Sequence, residues 1–270
     1  MLKKAVGPRV VPLSVPVILE QAKQEAGKED GNGGEAAELW RKLRGKAGRI
    51  ESTDYDGIFS VAVYRVLKKL ADENGLNALT VGCYPDLMGI VCLAASLLAD
   101  DGIPMACEGD VNGAVGMLML YLLSETPVHS TDWLDPTEDG SVVFTHCGSG
   151  SLDLAERPGD VELCPVRLMD RGVCARFPAK PGPVTLVNLD PRPDGYRCAV
   201  LEGDAVRTDM VFPGNPVRVK FQEKTSDIIQ WIFDEGIAHH WMIGYGHFRD
   251  DIRNWGKITG SAITVVEPPG

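Results

Sequence analysis

The spacing of apolar residues changes character once along this chain. Ile58, Val61, Ala62, Leu67 and Leu70 recur at helical intervals across 55–74, and Gly75 stands where such a helix would stop. A short apolar run at 78–82, a helical stretch at 87–98 and a second apolar run at 103–107 follow. Strand, helix and strand at this spacing predict a βαβ crossover within a parallel sheet. The next helix, over 111–124, is apolar almost all round, which predicts deep burial.

Beyond Asp132 the segments shorten. Strands predicted at 142–145, 172–177, 184–189, 197–201 and 217–221 are divided by Pro/Gly turns such as Asp190-Pro-Arg-Pro-Asp-Gly195. A helix over 225–235, capped by Thr225 or Ser226, and a last strand over 258–266 complete this part. The fold class expected is α/β, a parallel α/β sheet domain followed by a β-rich, antiparallel barrel-like C-terminal domain. Three segments are expected: a lead-in at 1–50, the α/β domain at 51–160 and the β-rich domain at 161–270. The lead-in holds a Pro-punctuated start, helices over 17–26 and 35–46, and a loop over 28–34.

Composition narrows the class. A chain of 270 residues with 44% hydrophobic content can bury a sizeable core. Its net charge is −11, from 38 acidic and 27 basic residues, and it carries no long basic run, so nucleic acid and anionic membrane are poor partners. Seven cysteines, an odd number with no Cys-x-x-Cys, suit reduced thiols in a cytoplasm rather than a disulfide frame or a structural zinc site. Pro8, Arg9, Pro12 and Pro16 interrupt what would be the apolar core of a signal peptide, and no apolar run is long enough to span a bilayer.

Candidate chemistry gathers where predicted strands end. Glu108 directly follows the run at 103–107, the position beyond a parallel strand where α/β sheets collect ligands. Asp110 begins the next helix and reads as its N-cap. Asp132 follows the run at 127–131, with Asp135, Glu138 and Asp139 offering the same chemistry nearby, and His146 follows 142–145. His239 and His240 form a pair of which an extended backbone presents one member to a given side. His129 and His247 lack such a setting. Cys147 and Ser149 invite a nucleophile reading, although a couple between Cys147 and the adjacent His146 is not expected of neighbours on a strand. Walker A, Gly-x-Gly-x-x-Gly and His-Glu-x-x-His patterns are absent.

These residues resemble the sugar isomerase family that includes L-fucose isomerase and L-arabinose isomerase. The resemblance rests on Cys107-Glu108-Gly109-Asp110 ahead of a small-residue helix (Gly113, Ala114), on Asp132, on Thr145-His146-Cys147-Gly148, and on His239-His240, over roughly residues 55–265. It implies a divalent ion, usually Mn2+, held by Glu108, Asp132, His146 and, downstream, His240. It also implies aldose-to-ketose conversion of a small sugar through an ene-diol, with Glu108 and Asp132 as the acid and base pair. Family members carry a full α/β domain before this region and complete their sites between subunits. The expectation is therefore a C-terminal half that forms a homo-oligomer and turns over weakly alone, with a non-catalytic sugar-binding relative as the alternative.

Overall fold

The computed structural model describes residues 7–27, 34–258 and 262–269. Residues 28–33, most of the loop expected at 28–34, lie outside the described residues. Helices α1 (Val15–Ala26) and α2 (Gly34–Lys46) both rest on α3 (Asp54–Asn74). Thr53 starts α3 by accepting a hydrogen bond from the Asp56 amide, and Gly75 ends it in the left-handed conformation. The buried Trp40 of α2 seats against this helix, and its indole nitrogen donates to Asp54 at 2.8 Å.

Strands β1 (Arg49–Ile50), β6 (Glu162–Val166) and β7 (Arg171–Arg176) form one sheet. Strands β2 (Leu79–Thr80) and β3 (Met105–Ala106) pair in parallel across α4 (Cys92–Asp100), the crossover that the apolar spacing predicts. The crossover helix starts later than the expected residue 87, because 84–90 form turns. Arg171 explains the delay: its guanidinium takes the carbonyls of Pro85, at 2.9 Å, and Met88, at 3.1 Å, which a helix would use internally.

The larger sheet contains β4 (His129–Pro136), β5 (Val142–Thr145), β8 (Gly182–Arg192), β9 (Gly195–Val206), β10 (Val217–Phe221), β11 (His240–Tyr245) and β12 (Ile263–Val266). Its order is β10-β5-β4-β11-β8-β9-β12, and β10 also pairs with β9. Six antiparallel strands thus close on themselves, with β12 lying parallel to β9 outside the ring. Period-two alternation fills the barrel with Phe144, Leu186, Leu201, Val219, Trp241 and Ile243. The alternate residues Val187, Val200 and Met242 belong to a second cluster outside.

Helix α5 (Val111–Ser124) packs on that outer face against β11 and β8, and also meets β2 and β3. It therefore joins the two layers. It is not buried all round as expected: Leu120 is enclosed, whereas Leu122 is 69% and Leu123 38% exposed at the C-terminal end of the helix. Helix α6 (Thr225–Glu235) begins as expected, but its cap is Lys224 without a side-chain bond, since Thr225 donates instead to the Gly140 carbonyl. Helix α7 (Arg249–Ile258), capped by Glu202 accepting from the Arg249 amide at 2.8 Å, precedes the last strand, which begins at Ile263 rather than 258. No helix among the described residues is long and apolar enough to cross a membrane.

Gly57 of α3 lies directly under Trp40: a Cβ there would stand 2.1 Å from an indole carbon. Gly57→Ala should therefore cost about 1–3 kcal/mol through overpacking and lower the melting temperature by several degrees. Gly45→Ala, with nothing within 4 Å of its Cβ, should be neutral or stabilising in the same melt.

Candidate metal centre

Three neighbouring barrel strands and one loop converge at a single point. In β4, Asp132 pairs across to His240 of β11 on one side and to Thr145 of β5 on the other. Directly paired residues share a sheet face, so Asp132 and His240 emerge together. His146 follows Thr145 at the end of β5. Glu108 arrives from the α/β layer, one residue past Cys107, on a turn with φ 60°. That left-handed conformation is uncommon outside glycine and marks a residue held in place by its surroundings.

The four side chains expected to act together are brought together. Glu108 Oε1 and Asp132 Oδ2 each lie 4.0 Å from His146 Nε2. Glu108 Oε2 and Asp132 Oδ1 each lie 3.7 Å from His240 Nε2. His239, 70% exposed, stands at the rim with Nε2 3.8 Å from Asp132, and Glu108, His239 and His240 also offer donor atoms within 4.8 Å of one another. The imidazoles form the floor, with side chains 4% and 11% exposed for His146 and His240, whereas the Glu108 and Asp132 carboxylates are 46% and 40% exposed toward solvent.

Asp110 does two jobs. One carboxyl oxygen caps α5 by accepting from the Gly113 amide at 2.8 Å, and the other is 3.0 Å from His240 Nδ1. Burial opposes the Asp110 charge, but the bonds from His240 and Gly113 hold the carboxyl below the usual range. The same bond from Asp110 raises the His240 pKa against desolvation. With Nδ1 turned to Asp110, His240 points its Nε2 at two carboxylates. That atom is buried and has no hydrogen-bond partner. A buried nitrogen beside two carboxylates calls for positive charge between them, a proton or a metal ion. Ligands bonded to one ion at about 2.1 Å stand roughly 3.0–4.2 Å apart, a range that includes the separations found here. Carboxylate oxygens with imidazole nitrogens therefore fit a divalent ion such as Mn2+, Mg2+, Co2+ or Zn2+.

Other residues fall outside this point or enter it unannounced. Asp139 is engaged in its own turn with Thr137, Ser141 and Arg218, and His247 is exposed at the far end of β11. The His146 and Cys147 side chains do meet, contrary to expectation: Nδ1 is 3.3 Å from Sγ, because both residues lie past the end of β5, where strand alternation no longer applies. Burial works against charge on His146, yet Cys107, Asp132 and Glu108 together raise its pKa to about 9. His129, which carried no signal in the sequence, is 1% exposed with neither ring nitrogen hydrogen-bonded, and burial lowers its pKa to about 3. Only its place at the start of an apolar strand, next to Val128, hinted at this burial.

The chain has relatives among known proteins. It is 29% identical over 211 residues to the sulfoquinovose isomerase of Alkalicoccus urumqiensis, a match covering 73% of this chain and 46% of that one. Its relatives are sugar isomerases. The sulfoquinovose isomerase of Priestia aryabhattai is 29% identical over 203 residues, covering 71% and 44%, and that of Clostridium sp. (strain MSTE9) is 27% identical over 201 residues. The chain spans less than half the length of these relatives. No family model matches it.

The Asp110 bond separates positioning from capping. Asp110→Asn keeps a good N-cap but removes the charge that orients the His240 ring. Its thermal stability should change by less than about 1 kcal/mol, while affinity for Mn2+ in calorimetric titration should fall about 10- to 100-fold.

Proposed function

We propose that this chain carries the metal centre of an aldose–ketose isomerase, with Glu108, Asp132, His146 and His240 as ligands and Mn2+ as the ion. The observation that carries this reading is the buried, unpartnered Nε2 of His240 facing two carboxylates. Similarity to sulfoquinovose isomerases supports it from a separate direction. When bound, the ion supplies positive charge to the sugar oxygens as the carbonyl and hydroxyl exchange roles.

The proton work falls to the chain. Isomerisation takes a proton from C2 of the open-chain aldose and returns one to C1 through an ene-diol. Glu108 and Asp132, the exposed members of the set, are placed to meet the sugar and act as the base and acid pair. His146 and His240 lie beneath them and fix the floor. Beside His240 a cleft of about 210 Å³ is lined by Asp110, Asn112, Asn188, Asp190 and His239, among others. Amide, imidazole and carboxyl groups suit the hydroxyls of a sugar, and no lysine or arginine lines the cleft. Sulfoquinovose, named for the relatives, belongs in the substrate panel beside L-fucose and L-arabinose.

Turnover of the panel with Mn2+, together with deuterium exchange at C2, tests this reading. Glu108→Gln should lower both by at least about 100-fold. Conversion that survives this substitution would remove the proton-transfer role from Glu108, and sugar binding without exchange in the unmodified chain would favour a non-catalytic relative.

Metal uptake should also depend on pH in a defined direction. With the His240 and His146 pKa values both raised, protons compete with the ion for the two Nε2 atoms. Loss of protons on binding makes affinity rise with pH. Apparent Mn2+ affinity should rise from about pH 6 to 8, with proton release visible when calorimetry is repeated in buffers of different ionisation enthalpy.

A further inference from the structure

Behind the His146 ring lies a second, softer set of donors. Cys107 Sγ, Cys147 Sγ and a ring nitrogen of His146 all lie within 4.8 Å of one another. The 3.3 Å between His146 Nδ1 and Cys147 Sγ is close to the roughly 3.6 Å that separates a nitrogen and a sulfur on one tetrahedral zinc ion. Cys107 and His146 are buried, while the half-buried Cys147 leaves an approach from solvent. Cys83 lies against Cys107, Cys92 against Cys147, and Ser149 Oγ is 3.5 Å from Cys107 Sγ. His129, fully enclosed and with no partner on either nitrogen, lies near enough to feel the charges of His146 and Cys107. Thiols are weak hydrogen-bond formers, so two sulfurs and an imidazole nitrogen converging on one point suit a shared metal ion better than they suit each other.

We propose that Cys107, Cys147 and His146 Nδ1 form a second metal site, beneath the first, for a thiophilic ion of the Zn2+ or Cd2+ type. Binding displaces the protons held on the two sulfurs and on Nδ1, and two thiolates neutralise the ion's charge, so the assembled unit is neutral and suits a buried pocket. Thiolates select soft d10 ions and carboxylates select Mn2+, so the two sites sort metals by softness. His146 belongs to both. A neutral imidazole has one lone pair. Once Nδ1 holds the soft ion, Nε2 keeps its proton, which occupies the side of the ring that faces Glu108 and Asp132, each 4.0 Å away. The upper site is then left with His240 as its only buried imidazole, and Mn2+ binds more weakly. This antagonism rests on the function proposed above, whereas the soft site itself does not.

The test is a Cd2+ titration of the full, reduced chain, followed by thiolate-to-cadmium charge-transfer absorption in the ultraviolet. One tight Cd2+ per chain is expected. Cys107→Ser and Cys147→Ala should each weaken it at least tenfold, while His240→Ala should keep the absorption band. Near-ultraviolet circular dichroism checks folding, and the half-buried Cys147 provides the milder substitution. Absence of the band in the unmodified chain, or a band of full strength in the double variant Cys107→Ser/Cys147→Ala, would overturn the site. Mn2+ affinity should then fall at least tenfold in the Cd2+-loaded chain. Unchanged Mn2+ affinity would overturn the sharing of His146. A Cd2+ band in a chain that never binds Mn2+ would support the soft site and count against the function proposed above.

Discussion

The hydrogen bond between Asp110 and His240 is the contact on which the site depends. It joins the first turn of α5 to the first residue of β11, and so the α/β layer to the barrel. The same carboxyl holds the Gly113 amide, and Gly113 admits Met242 of β11 so closely that a Cβ would stand 2.6 Å from its methyl carbon. Helix and strand are therefore fixed against each other at the point where the bond forms. Glu108, two residues before Asp110, is carried along with it. Were the helix to slide by a turn, about 5.4 Å, Glu108 would lose both imidazoles at once. The bond also sets the tautomer, and hence which nitrogen of His240 faces the carboxylates.

Strand register supplies the second constraint. Asp132 lies opposite His240 and Thr145 only in the observed pairing. A slip of one residue would turn Asp132 into the barrel and Trp133 out of it. Trp133 is held inside by Phe144, with ring centroids 5.0 Å apart and edge-on, and by Phe221 and Trp241, each at 6.4 Å. Burying large aromatic rings stabilises one register strongly over its neighbours. The aromatic residue after Asp132, which has no chemistry of its own, thus decides where the carboxylate points.

The parts of this arrangement that follow a period were legible in the sequence. Helix α3, the parallel pair β2 and β3, the short barrel strands and the placement of Glu108, Asp132, His146 and His240 just beyond or within strands all express local spacing. Features set by distant contacts were not. The helical turn lost at 84–90 depends on Arg171, more than 80 residues away, and α7 depends on Glu202 at its N-terminus. The pairing of β1 with β6, and of β5 with β10, cannot be read from either strand alone. The meeting of His146 with Cys147 was missed for a related reason: alternation governs a strand, and these residues lie just outside one. Asp110 was recognised as a cap, but its second partner is 130 residues distant.

Charge explains why a site of this composition can be present before any ion arrives. Three carboxylates, from Glu108, Asp110 and Asp132, meet two imidazoles at separations of 3.0–4.0 Å. Unbalanced, such like charges would repel by several kcal/mol in a partly buried setting. The raised His240 and His146 pKa values reflect the response: the carboxylates favour a proton on each ring, and with both in place the group carries a single excess negative charge. A divalent ion that replaces the two Nε2 protons leaves that total unchanged, because two protons and one M2+ carry equal charge. The exchange is therefore isoelectric, and neither state requires the surrounding barrel to reorganise. What differs is where the positive charge resides, on two rings of the floor or at a point between the carboxylates. Only the second location lies next to the exposed face of Glu108 and Asp132, where a substrate oxygen would arrive.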